Sequence, residues 1–215
     1  SHRQLTFTED SNETSPQWGR DGSFFVFLSD REGDANQIYY MRLDGGEARR
    51  ITDASEGVSD FAFSDDGTWL AYRSGKSGSE PGCNGMPICP PKVSGQEQLY
   101  RLRVFIDSLS SVVEQITDTP AGIESWKWAP GSEAIYFSHP DHREVDNDLR
   151  IEAGFTVDIK EMETPLSNLW KLDLNLMEPL QLTGDPNVSV TGFNVSHDGR
   201  WVTFAGGSAN RYERN

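Results

Sequence analysis

Phe61-Ala62-Phe63-Ser64-Asp65-Asp66-Gly67-Thr68-Trp69-Leu70-Ala71-Tyr72 is an aromatic strand, a polar turn and a second apolar strand in twelve residues. Asp-Gly between two apolar runs is a strong short-range hairpin signal, because both residues tolerate positive φ at little cost. The unit recurs. Ser15-Pro16-Gln17-Trp18-Gly19-Arg20-Asp21-Gly22 leads into Phe24–Leu28, and Phe193-Asn194-Val195-Ser196-His197-Asp198-Gly199 leads into Trp201–Phe204. Trp126-Lys127-Trp128-Ala129-Pro130-Gly131 leads into Ala134–Phe137 through Pro130-Gly131-Ser132, a degenerate form of the same turn.

Outward from the turn, three copies carry a third strand: Gln37–Met41, Gln98–Leu102 and Asn168–Leu172. A fourth closes each copy at Arg49–Thr52, Glu114–Thr117 and Pro179–Thr183, and Arg3-Gln4-Leu5-Thr6 reads as the same outer element. Four strands per repeat make the blade of a β-propeller. The second strand is apolar almost throughout, as expected of a sheet covered on both faces. A sandwich would alternate more cleanly and would not repeat in fours. The fold expected is therefore all-β, a propeller of four-stranded antiparallel blades.

Gly22, Gly67, Gly131 and Gly199 stand 45, 64 and 68 residues apart. The first interval fits a blade of roughly 40–45 residues; the longer two hold insertions at residues 74–97 and 139–167. Blades are expected to end near 1–8, 9–53, 54–118 and 119–184, with a partial blade at 185–215. That is about three full blades with partial ones at both ends. A propeller closes with roughly four to eight, so the expectation is a segment of a longer polypeptide.

Composition bounds the function. Hydrophobic residues make up 35% and aromatic residues 11% of the 215, with 20 Gly and 11 Pro, which suits a turn-rich globular domain rather than a disordered chain. Nineteen basic against 34 acidic residues give a formal charge of −15. That field repels nucleic-acid phosphates and anionic lipid, so neither a nucleic acid nor a membrane is expected as partner. No apolar run is long enough to span a bilayer. The N-terminal residues lack the basic, apolar, small-residue order of a signal peptide.

The pattern aromatic–x–aromatic–Ser–Pro/Asp–Asp–Gly, then Ile38-Tyr39-Tyr40-Met41, then Gly45-Gly46-Glu47-Ala48-Arg49-Arg50-Ile51-Thr52, resembles the repeat of TolB-type propellers. It is especially similar to the N-terminal propeller of prolyl oligopeptidase family serine peptidases, the dipeptidyl aminopeptidase and acylaminoacyl peptidase group. Gly57–Ser64, Glu163–Leu174 and Pro179–Thr183 extend the likeness. The resemblance implies a lid over a separate α/β-hydrolase domain with a Ser–Asp–His triad, beyond Asn215, which limits the substrate to short peptides. The alternative it implies is a TolB-like protein-binding propeller without enzymatic activity.

No catalytic residue is expected in this chain, since a nucleophile elbow needs Gly-x-Ser-x-Gly and no such string occurs. No cofactor and no metal are expected either. His139-Pro140-Asp141-His142 with Asp146 and Asp148 invites a metal reading, but proline between the histidines prevents a helix from aligning them. Asp158, Glu161 and Glu163 in the second insertion are the candidate substrate-binding residues. A carboxylate pair can hold an ammonium group, and in the peptidases this sequence resembles, propeller loops receive a substrate's amino terminus; a solvated acidic loop is the plainer alternative. Cys83 and Cys89 sit in the Gly/Pro-dense loop of the first insertion, where five intervening residues suit a small disulfide ring. Free thiols or a zinc pair are the alternatives. A disulfide implies an oxidising compartment, periplasmic or secreted, and its absence leaves the cytoplasm open.

Overall fold

In the computed structural model the residues described are 4–33, 35–75, 97–105, 108–119, 122–140, 166–185 and 188–208. The chain divides into two compact units, Ser1–Asp118 and Thr119–Asn215. All regular structure among the described residues is β-strand. No helix among them is long and apolar enough to cross a membrane.

The first unit holds two four-stranded antiparallel sheets. One is β1 (Glu13–Trp18), β2 (Phe24–Ser29), β3 (Gln37–Arg42) and β4 (Arg49–Arg50), paired in that order. The other is β5 (Val58–Phe63), β6 (Trp69–Gly75), β7 (Glu97–Phe105) and β8 (Ser108–Gln115). They pack through one apolar cluster. Phe24, Val26, Leu28, Ile38 and Tyr40 of the first sheet meet Phe61, Leu70, Tyr72 and Leu102 of the second. Each strand of the pair sends alternate side chains to that interface, yet β2 and β6 stay buried on their other face too, as the continuous apolar runs require.

The second unit repeats the plan with β9 (Ser125–Trp128), β10 (Ala134–Pro140), β11 (Ser167–Asp173) and β12 (Glu178–Gln181). A two-stranded sheet follows, β13 (Val188–Val195) and β14 (Val202–Ser208). Ala129, Ala134 and Tyr136 pack there against Phe193, Val195 and Val202. The fold is the expected one, blades of a β-propeller. Gln4-Leu5-Thr6 is not in a strand.

The turns depart from the expected chemistry in two ways. Within the Asp-Gly turns themselves glycine alone takes positive φ, at Gly22 (71°), Gly67 (70°) and Gly199 (68°). The aspartate serves differently: its carboxylate accepts from the backbone two residues on, Ser23 N to Asp21 at 3.0 Å, Thr68 N to Asp66 at 3.0 Å and Arg200 N to Asp198 at 3.1 Å. With Gly67 N bonded to Ser64 O at 2.8 Å, this is the pattern of a type I turn followed by a left-handed glycine. In the third copy the position equivalent to those glycines is Ser132, not Gly131: its N–H bonds Ala129 O at 3.1 Å, and its φ is 67°. Gly131 stands one place earlier at φ 84°, after Pro130, the chemistry of a type II turn.

A polar clip recurs where the outer strand leaves each full blade. The Thr52 hydroxyl accepts from Ile38 N at 2.9 Å and donates to Gln37 Oε1 at 2.8 Å. Thr117 does the same with Leu99 N (2.8 Å) and Gln98 (2.9 Å), and Thr183 with Leu169 N (2.9 Å) and Asn168 (3.3 Å). Burying these groups costs little only because each finds its partner.

Candidate functional site

Both insertions leave their sheets between the second and third strands, after Gly75 and after Pro140. The first sheet has a short link there, Asp30–Asn36, so this end of the blade shows what such a connection can assemble. The face of the sheet below it is aromatic. Trp18 and Phe25 lie 5.6 Å apart between ring centres, Phe25 and Phe27 5.6 Å, and Phe27 and Tyr39 5.9 Å. This ladder follows from register, since Trp18 pairs with Phe25 and Phe27 with Tyr39 across neighbouring strands.

Arg31 caps the ladder. Its guanidinium lies 5.1 Å from the Phe27 ring and 4.8 Å from the Tyr39 ring. It pairs with Glu13 at 2.9 Å, and its Nε donates to Ser29 Oγ at 3.2 Å. Glu13 also accepts from Thr6 at 3.0 Å and from Thr8, which ties the residues before β1 to the blade. Burial works to raise the Glu13 carboxyl, but the hydrogen bonds from Thr8 and Thr6 and the Arg31 charge outweigh it and hold the group below the ordinary Glu value.

Beside this clamp is a cleft of about 230 Å³, lined by Glu32, Ala35, Gln37, Tyr39, Asp53 and Ser55. Arg50 crosses it: Nε donates to Thr52 O at 2.7 Å, one terminal nitrogen pairs with Asp53, and the other lies 3.8 Å from Glu32. Tyr39 is fully buried, and its hydroxyl has no hydrogen-bond partner of good geometry among the described residues. Burial, then the Glu32 charge, raises its pKa against the pull of Arg50 and Arg31. Two carboxylates, a guanidinium and a phenol can bind a small polar group, but they contain no nucleophile paired with a base. Among the described residues no three His, Cys, Asp or Glu side chains are placed to hold a metal ion.

Asp158, Glu161, Glu163, Cys83 and Cys89 lie outside the described residues, as do Asp141, His142, Asp146 and Asp148. His139 is described. It stacks between Phe137 (6.0 Å) and Trp170 (5.3 Å), and its Nδ1 lies 2.8 Å from Pro140 O. Nδ1 therefore carries the proton and donates to that carbonyl. Sequence reasoning did not find the Arg31–Glu13 clamp. It also did not find the Thr clip, whose signal was present as Gln, Gln and Asn opening each third strand and Thr ending each fourth.

No family model matches the chain. A 58-residue stretch, 27% of the chain, is 50% identical to the uncharacterized peptidase YuxL of Bacillus subtilis and covers 9% of that protein. Among solved structures, a puromycin-hydrolyzing peptidase of Mycobacterium tuberculosis matches with a TM-score of 0.58 at 11% identity, over 92% of this chain and 28% of that one. TolB from Acinetobacter baumannii matches with a TM-score of 0.53 at 15% identity, over 90% of this chain and 37% of that one. The chain thus spans well under half of each of these proteins. At such identities the structural matches establish the fold, a propeller similar to those of TolB and of prolyl oligopeptidase-type peptidases.

Proposed function

We propose that the chain is the non-catalytic, substrate-gating propeller of a serine oligopeptidase that cleaves short peptides. The observation that carries this reading is the 50% identity to a protein named as a peptidase. On it, an α/β-hydrolase domain follows Asn215 and supplies the triad, and the insertions at the strand-two to strand-three ends shape access to it. Asp158, Glu161 and Glu163 in the second insertion receive the peptide's ammonium group, and Cys83 and Cys89 close the first insertion as a disulfide in a periplasmic or secreted protein.

The intact parent polypeptide is the test. It is expected to carry a Gly-x-Ser-x-Gly elbow, to react with a fluorophosphonate, and to release p-nitroaniline from aminoacyl anilides, while the 215-residue chain alone releases none. A parent that holds only further blades, and no fluorophosphonate-reactive serine, sinks the reading. The second reading, a TolB-like protein-binding propeller without enzymatic activity, is favoured by the match to TolB across 90% of the chain and would then stand. Alkylating the unreduced chain and weighing it decides the cysteines: a disulfide takes up no label at Cys83 or Cys89.

A further inference from the structure

A three-residue device recurs where each outer strand ends. Arg50 Nε donates to Thr52 O at 2.7 Å, Gln115 Nε2 to Thr117 O at 2.7 Å and Gln181 Nε2 to Thr183 O at 2.6 Å. The aliphatic residue in the middle gives its N–H to the third strand: Ile51 to Ile38 O at 2.9 Å, Ile116 to Leu99 O at 2.8 Å and Leu182 to Leu169 O at 2.8 Å. The threonine hydroxyl completes the clip by donating to the Gln or Asn that opens that strand.

Gln4-Leu5-Thr6 carries the same device. Gln4 Nε2 donates to Thr6 O at 2.8 Å, spanning an aliphatic residue as the three clips do. Thr6 stands seven residues before β1, and Thr52, Thr117 and Thr183 stand six, eight and five before β5, β9 and β13. The hydroxyl differs: it donates to the Glu13 carboxylate at 3.0 Å, where the other three donate to a side-chain amide oxygen. None of the described strands pairs with the segment. A groove of about 880 Å³ lies beside it, with Leu5, Phe7, Met41 and Leu43 in its lining, and Phe7 is 77% exposed.

We propose that Gln4-Leu5-Thr6 is the outer strand of a further blade and pairs with a strand of the same polypeptide, ahead of Ser1, that opens on Gln or Asn. The three clips specify that strand. Their opening amides precede the threonine by 15, 19 and 15 residues, through a hairpin. Each continues aliphatic then aromatic, as Gln37-Ile38-Tyr39, Gln98-Leu99-Tyr100 and Asn168-Leu169-Trp170. On pairing, the Leu5 N–H donates to the aliphatic carbonyl, and the Thr6 hydroxyl turns from Glu13 to the opening amide oxygen. Glu13 keeps Arg31 and Thr8. An apolar strand there also takes Leu5 and Phe7 out of water. A second copy of the chain is a poor donor, since β3, β7 and β11 each carry an outer strand already. This pairing needs a longer polypeptide, as the proposed function does, but not a hydrolase domain.

The test compares the intact parent polypeptide with the 215-residue chain by hydrogen exchange. The parent is expected to carry Gln or Asn, then an aliphatic and an aromatic residue, 15 to 19 places before Thr6. Its Leu5 amide is expected to exchange roughly a hundredfold more slowly than in the chain. In the parent, Thr6→Val is expected to speed that exchange roughly tenfold, with Thr6→Ser and Glu13→Gln each changing it by less than about threefold. A parent without Gln or Asn in that window overturns the proposal, as does a Leu5 amide that exchanges equally fast in both. Protection that Glu13→Gln removes and Thr6→Val does not overturns it too. Protection that appears only when a second protein is added assigns the segment to that partner and overturns it equally. A parent that fluorophosphonate leaves unlabelled sinks the peptidase reading alone, so the two failures are read apart.

Discussion

Two turns at the same place in the repeat, Ser64–Trp69 and Ala129–Ala134, reach one backbone path by different means. Both close with the same pair of backbone bonds: Ser64 N to Trp69 O and Gly67 N to Ser64 O in one, Ala129 N to Ala134 O and Ser132 N to Ala129 O in the other. The first is held by side chains. Ser64 Oγ donates to Asp66 at 2.6 Å and accepts from Trp69 N at 3.0 Å, while Thr68 Oγ1 donates to Asp66 at 2.7 Å. The second has alanine and glycine where Ser64 and Asp66 stand, and relies on Pro130 to preset the backbone. It also places Ser132 in the left-handed region, where a residue with a Cβ costs about 1–2 kcal/mol. Backbone geometry is thus kept through the repeat while the chemistry that enforces it is replaceable.

The widest separation between the turns is expected on adding bulk at the glycines. In Gly67→Val a β-branched residue must adopt φ near 70°, and a Cβ there comes 2.9 Å from the Arg20 Cβ. A loss of at least about 2 kcal/mol follows, read as a lower urea midpoint with an unchanged slope. Gly131→Val meets no atom within 4 Å and carries only the conformational part, about 1–2 kcal/mol. Equal losses would mean that Arg20 moves aside freely.

Ser64→Ala comes next. Ser64 is buried, so its removal leaves the Trp69 N–H without that acceptor and releases one oxygen of Asp66. About 1–2 kcal/mol is expected. A loss below about 0.3 kcal/mol would show that the backbone bonds alone hold the turn.

Ser132→Gly works in the opposite direction. Relief of the left-handed cost, less the added freedom of glycine in the unfolded chain, leaves a gain of about 0.5–1 kcal/mol. Destabilisation instead would show that the Ser132 side chain is worth more than its strain.

These turns also show how far the sequence could be read. The repeat was legible because Asp-Gly, the flanking aromatics and the four-strand rhythm are local signals, and blade architecture follows from them. The offset at Pro130-Gly131-Ser132 was not, since aligning glycine with glycine is the natural choice and only φ reveals that Ser132 takes the place of Gly67. The clip escaped for a related reason. Gln37 and Thr52 lie 15 residues apart, Gln98 and Thr117 19, so variable hairpins between the partners hide a constant geometry. The Arg31–Glu13 pair needs the sheet to bring together residues 18 apart, and neither is unusual for a surface loop. Function was less legible than fold: the acidic candidates sit in an insertion, where no periodicity constrains the chain.

The smallest contrast is in pH. Asp21 and Asp198 both sit below the ordinary Asp value of 3.8. For Asp21 the leading cause is the hydrogen bond from Ser23 N, followed by the Ser23 hydroxyl; for Asp198 it is the Ser196 hydroxyl, followed by Arg200 N. The third turn carries Gly131 at the matching place and has no such group. A carboxylate whose folded pKa is depressed contributes stability that is fully present above its unfolded pKa and is lost as pH falls through the folded one. The contribution of the two aspartates should therefore stand at neutral pH and decline below about pH 4. Both side chains are open to solvent, so screening keeps the effect small. It is best read as a difference: the gap in melting temperature between the unmutated chain and Asp198→Asn should narrow between pH 5 and pH 2, at low salt more than at high. A gap that is constant across that range would mean the Asp198 bonds survive protonation. The aspartate would then hold its turn by shape, as proline does in the third copy, and not by charge.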